Sequence, residues 1–156
     1  MNKLLFREFL ESQDTLCVLE GNDKLFTSQE GFLFPLLEYI DKFSHLHPKV
    51  IILDKIVGNA AALLSIKAGA TKVYSPLGSQ LAADTLSQYS REYHFTEIVP
   101  FIRARNGQDM CPMEKLSLSG DMSPDRFLET VRRYYEQHNM ERKDAEFSKK
   151  REVKEN

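Results

Sequence analysis

The chain has 156 residues, 42% apolar and 28% charged, with 21 basic against 23 acidic side chains and a formal charge of −2. That size suits one ordinary domain burying roughly 70% of its unfolded surface, and the composition excludes fold-scale disorder. The charge balance argues against a strongly basic nucleic-acid binder, and two cysteines, Cys17 and Cys111, cannot build a four-thiolate zinc site or a disulfide framework.

The first segment carries Leu4, Leu5, Phe9 and Leu10 at helical spacing and predicts an amphipathic helix. Arg7, Glu8 and Glu11 break the apolar run of about 7–15 residues that a secretory signal needs. No stretch approaches the roughly 18 apolar residues of a membrane span. These features, with lone thiols, lead to the expectation of a cytoplasmic protein with no membrane partner.

Thr15 to Glu20 and Lys24 to Ser28 are β-rich runs around the turn cluster Gly21-Asn22-Asp23, which predicts an antiparallel hairpin. A helix opening at Ser28 follows, with Leu33, Leu36, Leu37, Ile40 and Phe43 on one face. Lys49 to Leu53 is a continuous apolar run, as in a strand buried on both faces. Val57 to Lys67 is an alanine- and leucine-rich helix stopped at Gly69, and Thr71 to Ser75 is a strand. This βαβ unit repeats, with a helix from Ser79 to Tyr89 and a strand from His94 to Val99. Ser75-Pro76-Leu77-Gly78-Ser79 reads as a loop with Ser79 available as a cap, and residues 100–110 as irregular chain. A short element begins at Cys111, and a final helix begins at Ser123-Pro124 with Phe127, Leu128, Val131, Tyr134 and Tyr135 on its apolar face. From residue 139 onward 11 of 18 residues are charged, which predicts a solvated extension beyond a single domain over 1–138.

The expected architecture is an α/β protein, a three-layer α/β/α sandwich whose mixed sheet combines the N-terminal hairpin with three parallel strands and carries helices on both faces. In open α/β sheets ligands bind outside the carboxyl ends of the strands, so the residues after Leu53, Tyr74 and Val99 are the ones to examine. Asp54 and Lys55 place opposite charges at a strand end, and Gly58 and Asn59 open a helix whose unpaired N–H groups suit an anion or polar ligand atom. Asp54 also suits an ordinary helix cap. Cys111 precedes Pro112, Glu114 and Lys115 at a helix start, where a thiolate is stabilised, and Arg103 and Arg105 are near in sequence. A cysteine equally serves as a small buried apolar residue, and Cys17, mid-strand, reads as that. His45-Leu46-His47 lacks an adjacent carboxylate or thiol, so no metal site is expected. Arg132-Arg133-Tyr134-Tyr135 interleaves basic and aromatic residues, but the tyrosines continue the apolar face, so no nucleic-acid partner is expected.

Three segments carry a resemblance: Val18-Leu19-Glu20-Gly21, the stretch from Asp54 to Leu64, and Cys111 to Leu116. With the order of elements, they make the chain resemble the bacterial domain-of-unknown-function family 1893 over roughly residues 1–138. The resemblance implies a cytidine-deaminase-like sandwich with a crevice in the deaminase position, and no activity. A zinc deaminase needs H-x-E at one helix start and P-C-x-x-C at the next. This chain has Asp54-Lys55-Ile56 and Pro76-Leu77-Gly78-Ser79 there, so a zinc-dependent deaminase is not expected and no cofactor is assigned.

The leading functional expectation is a small polar ligand, nucleoside- or nucleotide-like, held by Asp54, Lys55, Gly58, Asn59, Arg103, Cys111 and Lys115. The alternatives are a metal-independent enzyme and an oligomeric interaction module, such as a homo-oligomer. The enzyme would use Cys111 as nucleophile or group carrier, with Asp54, Lys55 and Glu114 in acid–base and orienting roles.

Overall fold

The computed structural model describes residues 2–138. The expected charged extension from 139 lies outside the described residues. In chain order the elements are α1 (Lys3–Glu11), β1 (Leu16–Glu20), β2 (Asp23–Ser28), α2 (Phe34–Lys42), β3 (Val50–Asp54), β4 (Ile56–Val57), α3 (Asn59–Lys67), β5 (Ala70–Ser79), α4 (Gln80–Gln88), β6 (Glu92–Val99), α5 (Pro112–Ser117) and α6 (Pro124–Gln137). Together they make an α/β protein with a mixed open sheet and helices packed on it.

The sheet runs β2-β1-β3-β5-β6, with the two-residue β4 continuing beside β5 past the end of β3. β1 is antiparallel to both β2 and β3, while β3, β5 and β6 are parallel. The strand β2 therefore points the same way as β3, β5 and β6. The crossovers through α2, α3 and α4 all advance across the sheet in one direction. Crossovers of one hand that advance one way put their helices on one face. Side chains of α2, α3, α4 and α6 accordingly share one core with Leu16, Val18, Val50, Ile52 and Val73. Among the described residues the opposite face is covered by α1 alone, which presses Phe6 and Phe9 onto Cys17, Leu19, Leu53 and Tyr74. Helices thus lie on both faces as expected, but very unequally.

Helix α3 is the centre of the larger core. Every residue from Asn59 to Ile66 is buried, and α2, α4, α5, α6 and β5 all pack around it. The alanine run explains this: side chains that end at Cβ let neighbours approach from every side, and they cost little entropy when buried. Gly69 ends the helix at φ +95°, with a Cβ-sized gap of only 2.7 Å to the Pro48 carbonyl, so glycine is required there. Ser79 and Ser123 cap α4 and α6, their hydroxyls accepting from the N–H of Ala82 at 3.0 Å and of Arg126 at 3.1 Å.

Three expectations are corrected. The first helix buries Phe6 and Phe9, and Leu4 and Leu10 are exposed. Ser28 ends β2 and residues 29–33 are loop rather than helix, with Phe32 at φ +58°, and α2 starts only at Phe34. The segment from Ser75 to Ser79 is strand, not loop. Its register with β6 continues through Ser75–Phe95, Leu77–Glu97 and Gly78–Ile98, skipping Pro76, which has no N–H to give. Ser75 Oγ bridges the skipped residue, donating to the Leu77 carbonyl at 2.9 Å and accepting from its N–H at 3.2 Å.

Candidate functional site

Because β2 runs with the parallel strands, one edge of the sheet collects the ends of β2, β3, β4, β5 and β6. The loop after β2 leads into α2 there, and β4 leads into α3. The Lys67–Asp125 ion pair ties the end of α3 to the start of α6, so α6 runs back and delivers Tyr134 and Tyr135 to the same edge. After β6 the chain forms a hairpin in which Arg103 pairs with Met110 and the Cys111 N–H donates to the Ile102 carbonyl at 2.8 Å. This hairpin delivers Cys111 and α5.

The N-terminus of α3, expected to await an anion, already holds one from within the chain. Glu114 is 1% exposed. Its Oε1 accepts the Asn59 N–H, and its Oε2 accepts the Ile102 N–H at 2.9 Å. The helix has no side-chain cap of its own, and Asp54 does not supply one. The carboxylate of Glu114 thus supplies both the missing acceptor and the charge that a helix N-terminus favours. Gly58 makes room for it: a Cβ there would sit 2.8 Å from Glu114 Oε1. The close approach anticipated at Gly58 is real, and the approaching group is Glu114. Around it runs a buried chain of hydrogen bonds. Thr85 Oγ1 donates to Asn59 Oδ1, Asn59 Nδ2 donates to Ser117 Oγ at 3.1 Å, and Ser117 Oγ donates to the Glu114 carbonyl at 2.6 Å. With both carboxylate oxygens engaged by backbone N–H groups, Glu114 is a structural cap rather than a proton acceptor for Cys111.

Asp54 and Lys55 separate, as neighbours on a strand must. Lys55 turns to the α1 face, where its Nζ donates to the Ser12 carbonyl at 2.8 Å and lies 4.7 Å from the centre of the Phe9 ring. It closes the C-terminal end of α1. Asp54 pairs across the sheet with Leu16 and so sits on the helix-rich face. The residue keeps part of its surface in solvent, but its carboxyl group is enclosed, and burial pushes it from its ordinary 3.8 up to about 7. Backbone N–H groups of Ile56 and Lys55 pull the other way and do not win.

The sign of the pH effect follows. Between pH 3.8 and about 7 the unfolded chain has released this proton and the native one has kept it, so rising pH destabilises the fold across that window. Asp54→Asn keeps an acceptor for the same N–H groups and has no charge to bury. Thermal melts from pH 4 to 8 are expected to show the variant gaining stability relative to the parent, with the difference growing up to neutrality and flat above. A difference independent of pH would reject this assignment.

Of the remaining candidates, Arg103 is exposed on the hairpin, its Nη1 donating to the Gly107 carbonyl at 3.0 Å, and Lys115 is exposed on α5. Cys111 is half-buried, and its side chain makes no cap hydrogen bond. Sequence reading passed over Thr85 and Ser117. Ser117 had a local signal, standing one turn after Glu114 on the same helix face, whereas Thr85 is joined to the site only through tertiary packing. Elsewhere, His47 Nδ1 lies 2.8 Å from Glu20 Oε2, and Arg132 pairs with Asp41. Among the described residues no three His, Cys, Asp or Glu side chains group as a metal site, and no helix is long and apolar enough to cross a membrane.

The molecule is therefore an α/β protein whose mixed open sheet gathers its loops, and a helix start capped from a distance, on one edge. The chain belongs to the family described as TM1506, domain of unknown function (DUF1893), whose model matches residues 6–133. It is similar to the crystal structure of a DUF1893 family protein (TM1506) from Thermotoga maritima, with 28% identity and a TM-score of 0.72. That match covers 84% of this chain and 90% of the other. No curated protein matches the chain.

Proposed function

We propose that this protein binds a small polar ligand, nucleoside- or nucleotide-like, at the carboxyl edge of its sheet, on a cytidine-deaminase-like scaffold without the zinc ligands. The observation that carries the reading is Asp54. Its carboxyl stands at the end of a central strand, on the face that α2 and α3 cover, and burial pushes its proton affinity up to near neutrality. Lys55, the nearest cation in sequence, is committed to Ser12 on the other face. A carboxyl poised in this way accepts or donates a hydrogen bond with little cost, which suits the mixed donor–acceptor edge of a heterocyclic base. Arg103 and Lys115, exposed on the hairpin and on α5, would meet the anionic end of such a ligand. The helix start at Gly58 and Asn59 is not part of that contact, since Glu114 fills it.

The test is a thermal-shift panel of nucleobases, nucleosides and nucleotides on the full chain. A ligand at a hundred times its dissociation constant stabilises by about 2.7 kcal/mol, a shift of several degrees. The expected result is stabilisation by at least one base-containing compound, reduced in Asp54→Asn measured against its own baseline. No shift with any compound at millimolar concentration would reject the proposal. The cysteine-enzyme reading has less support, because the carboxylate nearest Cys111 in sequence is occupied by two backbone N–H groups.

A further inference from the structure

The loop that leads into α2 carries a side chain whose placement the fold alone does not explain. Phe32 is 54% exposed, the one exposed phenylalanine or tyrosine among the described residues, and its backbone stands at φ +58°. A bulky side chain is strained in that conformation. The other described non-glycine residue at positive φ, Ser90, has a local reason. It follows α4, where the Arg91 N–H reaches back to the Leu86 carbonyl at 2.8 Å, a common helix ending. Phe32 stands before a helix, so no such ending applies. Gly31 beside it would take a positive φ freely and does not. Two rings hold Phe32 in place: it meets Phe34 edge to face with centres 6.1 Å apart, and Phe34 stacks on the buried Tyr135 at 4.8 Å.

Backbone geometry sets this ring at the edge that carries Asp54. Leu16 pairs with Ser28 on one side and with Asp54 on the other, so the ends of β2 and β3 lie about 10 Å apart. Thr15 ties the loop to the same place. Its carbonyl accepts the Lys55 N–H at 3.2 Å, and its Oγ1 donates to the carbonyls of Ser28 at 3.1 Å and Glu30 at 2.6 Å. Phe32 follows Glu30 by two residues, at most about 7 Å of chain. We propose that Phe32 is the stacking platform for the base of the nucleoside- or nucleotide-like ligand, its ring covering the face of the heterocycle while the Asp54 carboxyl meets the edge. The inference rests on the ligand-binding reading above and adds the residue that selects its ligand class. A carboxyl alone recognises any polar edge, a sugar hydroxyl included, whereas a ring face favours a flat aromatic group. Strain at an exposed residue that touches one other ring is then pre-organisation: the platform is already in position before the ligand arrives.

The chain has no tryptophan, so Phe32→Trp introduces a single indole reporter at the platform. The full chain, Phe32→Trp, Phe32→Asn and Asp54→Asn are titrated with adenosine, cytidine and their monophosphates, and with ribose phosphate as the probe that lacks a base. Calorimetry reads affinity and indole emission reads stacking. At least one base-containing compound is expected to bind the parent, to quench the indole of Phe32→Trp, and to bind Phe32→Asn about tenfold more weakly, the loss of one base–aromatic stack. Ribose phosphate is expected to leave the emission unchanged. Asparagine takes a positive φ readily, so Phe32→Asn without ligand is expected to melt no lower than the parent, which separates lost stacking from lost fold. A compound that binds the parent and Phe32→Asn equally, while Asp54→Asn weakens it, would overturn the platform and leave the ligand-binding reading standing. An indole that stays unquenched when the compound is bound would do the same. Failure of every compound to bind the parent would overturn both.

Discussion

Glu114→Ala is expected to destabilise the domain by about 3–5 kcal/mol, lowering the melting temperature by roughly 10–15 °C. Three losses add. The N–H groups of Asn59 and Ile102 are left without an acceptor inside the protein, at about 1–3 kcal/mol each. The start of α3 loses the negative charge that offsets its dipole, worth some tenths to about 1 kcal/mol. A side chain 1% exposed leaves a void beside Gly58. Against a total stability of about 5–15 kcal/mol this is a large fraction. Glu114→Gln separates charge from shape: its amide oxygen serves one N–H, but its NH2 group faces the other. It is expected to recover only part of the loss. Ser117→Ala, which breaks the link between Asn59 and the Glu114 carbonyl, is expected to cost about 1 kcal/mol. Urea unfolding of the three variants measures the series. A Glu114→Ala variant within 1 kcal/mol of the parent would show that the long-range cap does not hold α3.

Gly78→Ala is expected to cost about 2–3 kcal/mol for the addition of a single methyl group. A Cβ at Gly78 would lie 2.1 Å from the Phe95 ring, far inside contact distance. Phe95 is 8% exposed and packed against Tyr93 at 4.9 Å between ring centres, so the ring cannot simply swing aside. The collision is specific to this pair, which a double-mutant cycle tests. Phe95→Leu shortens the opposing side chain, and Gly78→Ala in that background is expected to cost less than half as much, a coupling of about 1–2 kcal/mol. Equal costs in both backgrounds would place the strain in the β5 backbone instead.

These two positions also mark where reading the sequence succeeds and where it stops. The caps at Ser79 and Ser123, the stop at Gly69 and the buried run through β3 were legible because each depends on residues within one turn or one strand. Asp54 and Lys55 were read as one site, although the two-residue period of a strand sends neighbours to opposite faces. Gly78 was misread as part of a loop because Ser-Pro-Leu-Gly-Ser has turn composition. What makes it strand is β4 and β6 on either side, which supply the hydrogen bonds and a ring that only glycine can admit. The face of α1 was misjudged for a similar reason. Spacing admits Leu4 and Leu10 as readily as Phe6 and Phe9, and only the surface formed by Cys17, Leu19, Leu53 and Tyr74 chooses between them.

By itself the sequence determined the class of fold and the order of most elements, because period, caps and apolar runs are local. Only the tertiary structure decided what occupies the carboxyl edge of the sheet. Glu114 reaches Asn59 across 55 residues of chain to fill the start of α3, and α6 returns to stack Tyr135 on Phe34. No local pattern encodes such meetings, since they depend on how several helices are stacked against one sheet face. The two cysteines exemplify the division. Their number ruled out a metal or disulfide framework at the outset, while the tertiary structure buries Cys17 under α1 and leaves Cys111 half-buried at the start of α5.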